Sequence, residues 1–181
     1  MNGKLVIFSG PSGVGKDTLL DAWHEANPKV TRVVAYTSRA PREGEVDGVS
    51  YHFVSREEFT RKVEHGDFLE YKEVHGNLYA TPLADMERML EAGLIAVLKI
   101  DVQGALTVME LRPDAITIFV QPPSWEELER RIRVRGLDDP ATIEKRLMNA
   151  RDEVAHAGAY QHQITNDSIE RAVRELEGTV L

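Results

Sequence analysis

The 181-residue sequence has no cysteine, which excludes a disulfide framework, a thiolate zinc site and a thiol nucleophile. It has no apolar stretch near the roughly 20 residues that a bilayer-spanning helix needs. Cations are in deficit, with 22 Lys and Arg against 30 Asp and Glu and a formal charge of -8. A general binder of nucleic-acid backbones needs the opposite balance, because its surface supplies cations to phosphates. Any phosphate site in this chain must therefore be local. Internal repeats and low-complexity segments are missing. The first four residues lead into a strand-like run, not a signal-peptide pattern, and the cytoplasm is the expected location.

What is present reads as a globular domain. Hydrophobic residues make up 42% and charged residues 29%, ordinary values for a folded protein, and the length fits one compact domain with small insertions. Five short runs rich in β-branched and apolar residues stand out, at 5–8, 33–36, 94–100, 116–120 and 163–165. Most are continuous instead of alternating, as in strands buried on both faces, and helical patterns lie between several of them. This predicts an α/β fold, a parallel sheet of about five strands flanked by helices. Helix starts are marked by capping-box spacing at Ser55/Glu58 and Ser124/Glu127, and by a cap before proline at Thr81-Pro82 and Asp139-Pro140. In the helix opening at Asp139, the spacing of Ile143, Leu147 and Ala150 predicts a core-facing stripe. Between about residues 38 and 80 the texture changes to Gly, Tyr and charged residues in short pieces, which predicts a small inserted β-rich lobe.

The run at 5–8 leads directly into Ser9-Gly10-Pro11-Ser12-Gly13-Val14-Gly15-Lys16-Asp17-Thr18, and a helical stretch follows. This is a GxxxxGK pattern in strand-to-helix context. The glycines allow a tight turn whose N–H groups, with the positive end of the helix, converge on phosphate oxygens while Lys16 reaches the β- and γ-phosphates. The alternative, a glycine-rich surface turn with an incidental lysine, leaves the complete pattern unexplained. One residue departs from it: Ser or Thr is usual after the lysine, for its hydroxyl on magnesium, and here Asp17 stands there with Thr18 next. Further on, Arg39 and Arg42 sit three apart in an extended, proline-bearing stretch, with Tyr51 nine residues beyond the second. Planar guanidinium forks suit a phosphate monoester, while a solvated basic loop has the same spacing.

Several motifs in order resolve that choice. Thr37-Ser38-Arg39-x-Pro-Arg42-x-Gly44-Glu45-x-Asp47-Gly48-x-x-Tyr51-x-Phe53 resembles the guanylate kinase signature. It is followed by Gly66-Asp67-Phe68-Leu69-Glu70-Tyr71, His75-Gly76-Asn77-x-Tyr79-x-Thr81-Pro82, Ile100-Asp101-Val102-Gln103-Gly104-Ala105, Arg135-Gly136, Arg146-Leu147-x-x-Ala150 and Asn166-Asp167. The resemblance spans nearly the whole chain. It implies a P-loop-type single domain over 1–181, with a core of 1–34, 83–123 and 155–181, a GMP-binding lobe of 35–82 and a lid region of 124–154. It also implies transfer of the γ-phosphoryl group of ATP to GMP or dGMP with Mg2+, and no role for nucleic acid or membrane.

By position, the resemblance assigns ATP to Gly10, Pro11, Ser12, Gly13, Val14, Gly15, Lys16, Asp17, Thr18, Arg135 and Asn166. It assigns GMP to Thr37, Arg39, Arg42, Tyr51, Glu70, Tyr79, Thr81 and Asp101, with Glu70, Thr81 and Asp101 on the guanine. Lys16, Arg39, Arg131, Arg135 and Arg146 are the catalytic candidates, and Asp17 is the candidate Mg2+ ligand. From spacing alone the arginines at 130–135 read as a salt-laced exposed helix; the resemblance implies a mobile lid closing on ATP phosphates. Two more positions depart from the family. Ala35 stands where a serine usually contacts guanine, and Lys99 opens the usual Asp-Ile-Asp triplet. Positions 99 and 101 share a strand face, which leads to the expectation that Lys99 pairs with Asp17. Two rival readings share the architecture: a phosphosugar kinase, and a non-catalytic guanylate-kinase-like interaction module.

Overall fold

The structure is a computed structural model that describes residues 3–134 and 139–181. Its centre is a five-stranded parallel sheet built from β1 (Lys4–Ser9), β2 (Val30–Arg32), β7 (Ile95–Lys99), β8 (Ile116–Gln121) and β9 (His162–Thr165), in the order β2-β7-β1-β8-β9. Both faces are covered, and residue alternation shows how. Val6, Phe8, Val97, Ile118 and Val120 enter one apolar cluster, whereas Leu5, Ile7, Ala96, Leu98 and Phe119 enter the other. Period-2 geometry thus sends successive side chains of one apolar run into two different cores, which is why the central strands β1, β7 and β8 carry no polar face.

Helices α1 (Lys16–Ala26), α5 (Trp125–Val134), α6 (Pro140–Ala155) and α7 (Ile169–Val180) supply Leu19, Trp23, Leu128, Ile132, Leu147, Val173 and Leu176 to the first cluster. Helices α3 (Leu83–Glu91) and α4 (Val102–Leu111) supply Met86, Ala105 and Val108 to the second. The predicted stripe on α6 is seen, with Leu147 and Ala150 buried and Ile143 packed against them. Among the described residues, no helix is long and apolar enough to cross a membrane.

A second, four-stranded sheet in the order β4-β3-β6-β5 holds β3 (Tyr36–Thr37), β4 (His52–Phe53), β5 (Phe68–Val74) and β6 (Asn77–Pro82). β5 and β6 form a hairpin whose turn residues His75 and Gly76 both have positive φ (50 and 80°), the two-residue geometry that matches strand twist. Helix α2 (Arg56–His65) buries Phe59 against Phe68, ring centroids 4.9 Å apart.

Two local expectations are corrected. The second core strand is not 33–36 but Val30–Arg32, which pairs with β7. Val33 makes one last bond to Val97 O (3.0 Å), after which the chain leaves for the lobe sheet as β3. Thr81 does not cap a helix before a proline at the first helical position. It stays in β6, opposite Glu70, and Pro82 itself precedes α3 without a side-chain cap. The other three caps form, with Ser55, Ser124 and Asp139 accepting from the amides of Glu58 (3.1 Å), Glu127 (3.1 Å) and Thr142 (2.9 Å).

Candidate active site

The loops after β1, β2, β7 and β9 all leave from the carboxyl edge of the parallel sheet, where open α/β sheets place their clefts. The β1–α1 loop turns through Gly13 and Gly15 at φ 85 and 92°. A Cβ at Gly15 would stand 2.8 Å from Asn166 Nδ2, so a side chain is excluded by conformation and by space. No side chain caps α1, whose first amides therefore point at whatever anion enters the loop. Val14 is buried in the core, and its carbonyl accepts from Asn166 Nδ2 (2.8 Å) and Arg131 Nη1 (3.2 Å), tying the loop to the β9 edge and to α5. Pro11 is buried too, so Val14 and Pro11 shape the loop while Gly10, Ser12, Gly13, Gly15, Lys16, Asp17 and Thr18 line the open groove.

Lys16 donates to the carbonyls of Gly10 and Pro11. Burial lowers its pKa to about 8, against the pull of Glu153. Glu153, on α6, accepts from the Ser12 amide at 3.1 Å; burial raises its pKa and Lys16 opposes the rise. Arg146 Nη2 lies 3.4 Å from Ser12 Oγ and lines the same groove. Arg131 lines a neighbouring recess with Gly13, Gly15, Thr18, Val134, Asn166 and Asp167. Arg130 lines that recess too, and both Arg130 and Arg131 pair with Glu127, whereas Arg133 lies outside recess and groove, paired with Glu129 and Glu144. Arg135 and Gly136 lie outside the described residues.

Facing this loop, Arg39 makes a two-pronged pair with Glu45, both contacts 2.9 Å. The same carboxylate accepts from the Arg42 amide at 2.7 Å and so closes the turn around both arginines. The Arg39 hydrogen bonds hold Glu45 down at about 2, and Glu45 raises the Arg39 pKa in turn. Arg39 Nε is buried and has no hydrogen-bond partner among the described residues, an unsatisfied donor that an anion would answer. Its guanidinium lies 5.4 Å from the Tyr51 ring centroid, and Tyr51 meets Tyr79 at 6.0 Å. Thr37 is fully buried and accepts from the Arg39 amide (3.2 Å); it supports the arginine turn from behind and lines neither cavity.

Next to the arginines is a pocket of ≈ 230 Å³ lined by Ala35, Tyr51, Glu70, Tyr79, Thr81, Lys99 and Asp101 among others. Glu70 and Thr81 are cross-strand partners, and the threonine hydroxyl donates to Glu70 Oε1 at 2.9 Å. Burial raises the Glu70 pKa, the Thr81 bond opposes it and nearby Asp101 adds to it. Asp101 caps α4 by accepting from Gly104 N (2.8 Å) while lining the pocket mouth. The pocket shares Tyr51, Lys99, Ile100 and Asp101 with a larger groove of ≈ 570 Å³. That groove reaches Gly10, Lys16, Arg39, Arg42, Arg146 and Glu153. One continuous cleft therefore links a largely apolar pocket that carries Glu70 and Thr81 in its wall to two opposed anion cradles.

A family model described as Guanylate kinase matches residues 2–180. The chain belongs to the guanylate kinase family. Guanylate kinase of Clostridium perfringens (strain SM101 / Type A) is 44% identical over 179 residues, covering 99% of this chain and 83% of that one. Guanylate kinase of Rubrobacter xylanophilus is 46% identical over 174 residues, 96% and 91% of the two chains. The crystal structure of guanylate kinase from Anaplasma phagocytophilum superposes with a TM-score of 0.78 at 35% identity, covering 98% of this chain and 84% of that one. Shikimate kinase from Bacteroides thetaiotaomicron, at 18% identity and TM-score 0.51, shares the fold alone.

Of the three residues that depart from the guanylate kinase pattern, two, Asp17 and Lys99, meet in space as expected. Lys99 Nζ donates to Asp17 Oδ1 at 2.6 Å, and Arg32 at the end of β2 bonds the same oxygen. Burial pushes the Asp17 carboxyl up, but Lys99 and Arg32 together hold its pKa below the usual value. A carboxylate beside a phosphate loop is thus flanked by two cations. Sequence reasoning missed three contributors: Arg32, Glu45 as a holder of Arg39, and Glu153. Glu153 had a signal, since 146, 150 and 153 follow helical spacing and put Arg146, the core residue Ala150 and Glu153 on one side of α6.

Proposed function

We propose that this protein transfers the γ-phosphoryl group of ATP to GMP and dGMP, giving ADP and GDP or dGDP. The observation that carries the reading is the shared cleft, in which the Glu70–Thr81 slot opens at Asp101 and Lys99 onto a groove bounded by the phosphate loop and by Arg39 and Arg42. Guanine presents N1–H and N2–H as neighbouring donors, and the Glu70 carboxylate can accept both; adenine lacks that pair and would leave buried acceptors unanswered. Thr81 orients the carboxylate through its hydroxyl. Arg39, Arg42, Tyr51 and Tyr79 take the acceptor phosphate, and the amides of the loop with Lys16 take the β- and γ-phosphates of ATP.

In the transfer, an oxygen of the acceptor phosphate attacks the γ-phosphorus. The bond from that phosphorus to the β–γ bridging oxygen breaks, and its electron pair leaves with ADP. Catalysis here is mainly alignment and compensation of charge on the transferring group, which is the role of Lys16, Arg39, Arg131 and Arg146. Arg135 joins that set by sequence position alone, and Asn166 and the recess beside Arg131 would take the adenine. The amphipathic lid helices α5 and α6 exclude water that would hydrolyse ATP.

Magnesium belongs to this reading. Among the described residues no group of three or more His, Asp or Glu is placed to hold a metal, yet Mg2+ on a nucleotide needs only one or two protein oxygens beside phosphate and water. The exposed Thr18 hydroxyl and Asp17 fit that need; both ion pairs of Asp17 run through Oδ1, which leaves Oδ2 as its ligating atom. When bound, the ion would neutralise charge on the β- and γ-phosphates. The reading also includes a cytoplasmic location.

The test is steady-state ADP production with GMP, dGMP, AMP and UMP as acceptors across a Mg2+ titration. Turnover with both guanine nucleotides and little with the others is expected. Ribose bisphosphate as a better acceptor than GMP would replace this reading with a phosphosugar kinase, and no ADP with any acceptor would leave a binding module.

A further inference from the structure

We infer that Lys99 is a catalytic residue of this chain, whose ammonium group touches the acceptor phosphate and the phosphoryl group in transit, held in place by Asp17. The inference rests on the phosphotransferase reading above. Lys99 is the last residue of β7, in register with Phe8 just ahead of the phosphate loop. Four residues line both the base pocket and the groove, and among Tyr51, Lys99, Ile100 and Asp101 the lysine is the one cation. Its side chain is 19% exposed. It therefore stands at the junction that an acceptor phosphate must occupy if its base is in the pocket and its phosphate faces the loop.

The charges around it explain how it is kept there. Asp17 Oδ1 binds both Lys99 and Arg32, a cluster of two cations and one anion with net charge +1. The partly buried Lys99 ammonium is met by the Asp17 carboxylate at 2.6 Å, which fixes its position at the mouth of the groove. Attack of one phosphate on another brings two anions together, and a cation between them is most useful at that moment. Lys99 exchanges no proton in the step; its contribution is charge and position. Asp17 is a positioning residue toward it.

The experiment uses the full chain with ATP, GMP and Mg2+, and the variants Lys99→Met, Lys99→Arg, Asp17→Asn and the double Asp17→Asn/Lys99→Met. Lys99→Met should lower kcat by roughly 100-fold while its melting temperature and its affinity for a non-hydrolysable ATP analogue stay near wild type. Lys99→Arg should recover most of the turnover, and Asp17→Asn, assayed at saturating Mg2+ because Asp17 is also the proposed Mg2+ ligand, should lose clearly less than Lys99→Met. In the wild-type protein, GMP alone should shield Lys99 from amine acylation, read by peptide mass spectrometry, a measurement that needs no variant to fold. Retention of kcat within about threefold in Lys99→Met overturns the inference, as does equal loss in both single variants with no further loss in the double, which marks a structural brace. Failure of GMP to shield Lys99 overturns it too. A wild-type protein inert toward GMP would instead sink the phosphotransferase reading itself.

Discussion

Replacing Glu70 with Gln tests base choice at its physical source. The substitution keeps the side-chain shape and leaves an amide oxygen to accept from Thr81, which lies 2.9 Å from Glu70 Oε1. It removes one acceptor and the negative charge, and it sets an NH2 against the N1–H and N2–H donors of guanine. A hydrogen bond to a charged group contributes about 1.5–3 kcal/mol, and a buried donor left unanswered costs about 1–3 kcal/mol. A net loss near 2–3 kcal/mol corresponds to roughly 30- to 150-fold in kcat/KM for GMP. AMP should lose nothing, since its N6–H2 and N1 can meet the amide oxygen and NH2, so the GMP-to-AMP ratio should collapse by at least that factor in a coupled ADP assay. The pH profile gives a second readout. Burial raises the Glu70 pKa above its usual 4.5, so wild-type kcat/KM for GMP should fall as pH drops through that raised value, and the variant should lack this limb. The raised pKa also means that Glu70 favours the fold below pH 4.5 and that this contribution is lost as pH rises through the folded value. The variant should therefore melt no lower than wild type at neutral pH. A GMP-to-AMP ratio within threefold of wild type would refute the assignment of Glu70 to the base.

Three further outcomes follow from the same geometry. Lys16, lowered to about 8 by burial, should make kcat/KM for ATP fall as pH rises through about 8, with the limb displaced upward in kcat because bound phosphates favour the ammonium. Glu45→Gln should cut kcat/KM for GMP by about tenfold through a loosened Arg39. With the Glu45 pKa at about 2 in the fold, the stability its ion pair supplies is present above pH 4.5 and lost as pH falls toward 2, and the variant should show a flatter acid melting curve in that window. Leu128→Ala removes a fully buried side chain that packs behind Gly13 and should cost about 2–5 kcal/mol in urea denaturation.

Much of this architecture was legible because its causes are local. The apolar run of β1, the glycine loop and the first turns of α1 are contiguous, and each residue's preference agrees with its neighbours. The same holds for the caps at Ser55, Ser124 and Asp139, where side chain and amide lie three residues apart. The misreadings fall where a distant partner decided. Residues 30–32 and 33–36 have similar β preference, and only the available edge of β7 selects the first for the core sheet. Thr81 carries a cap signature, but Glu70 across the hairpin takes its hydroxyl.

By itself the sequence determined most of the elements, the anion loop and the family, because these depend on residue type and on short spacings. The Lys99–Asp17 pair was expected from the sequence and forms; tertiary structure alone decided the other charge contacts, Arg32 on the same carboxylate and Glu153 at the loop. Asp17, Arg32 and Lys99 come from three separate elements, and Glu153 reaches the Ser12 amide from 141 residues away. Coulomb and hydrogen-bond energies depend on distance and burial, and neither exists for a charge until the sheet has brought its carboxyl-end loops together.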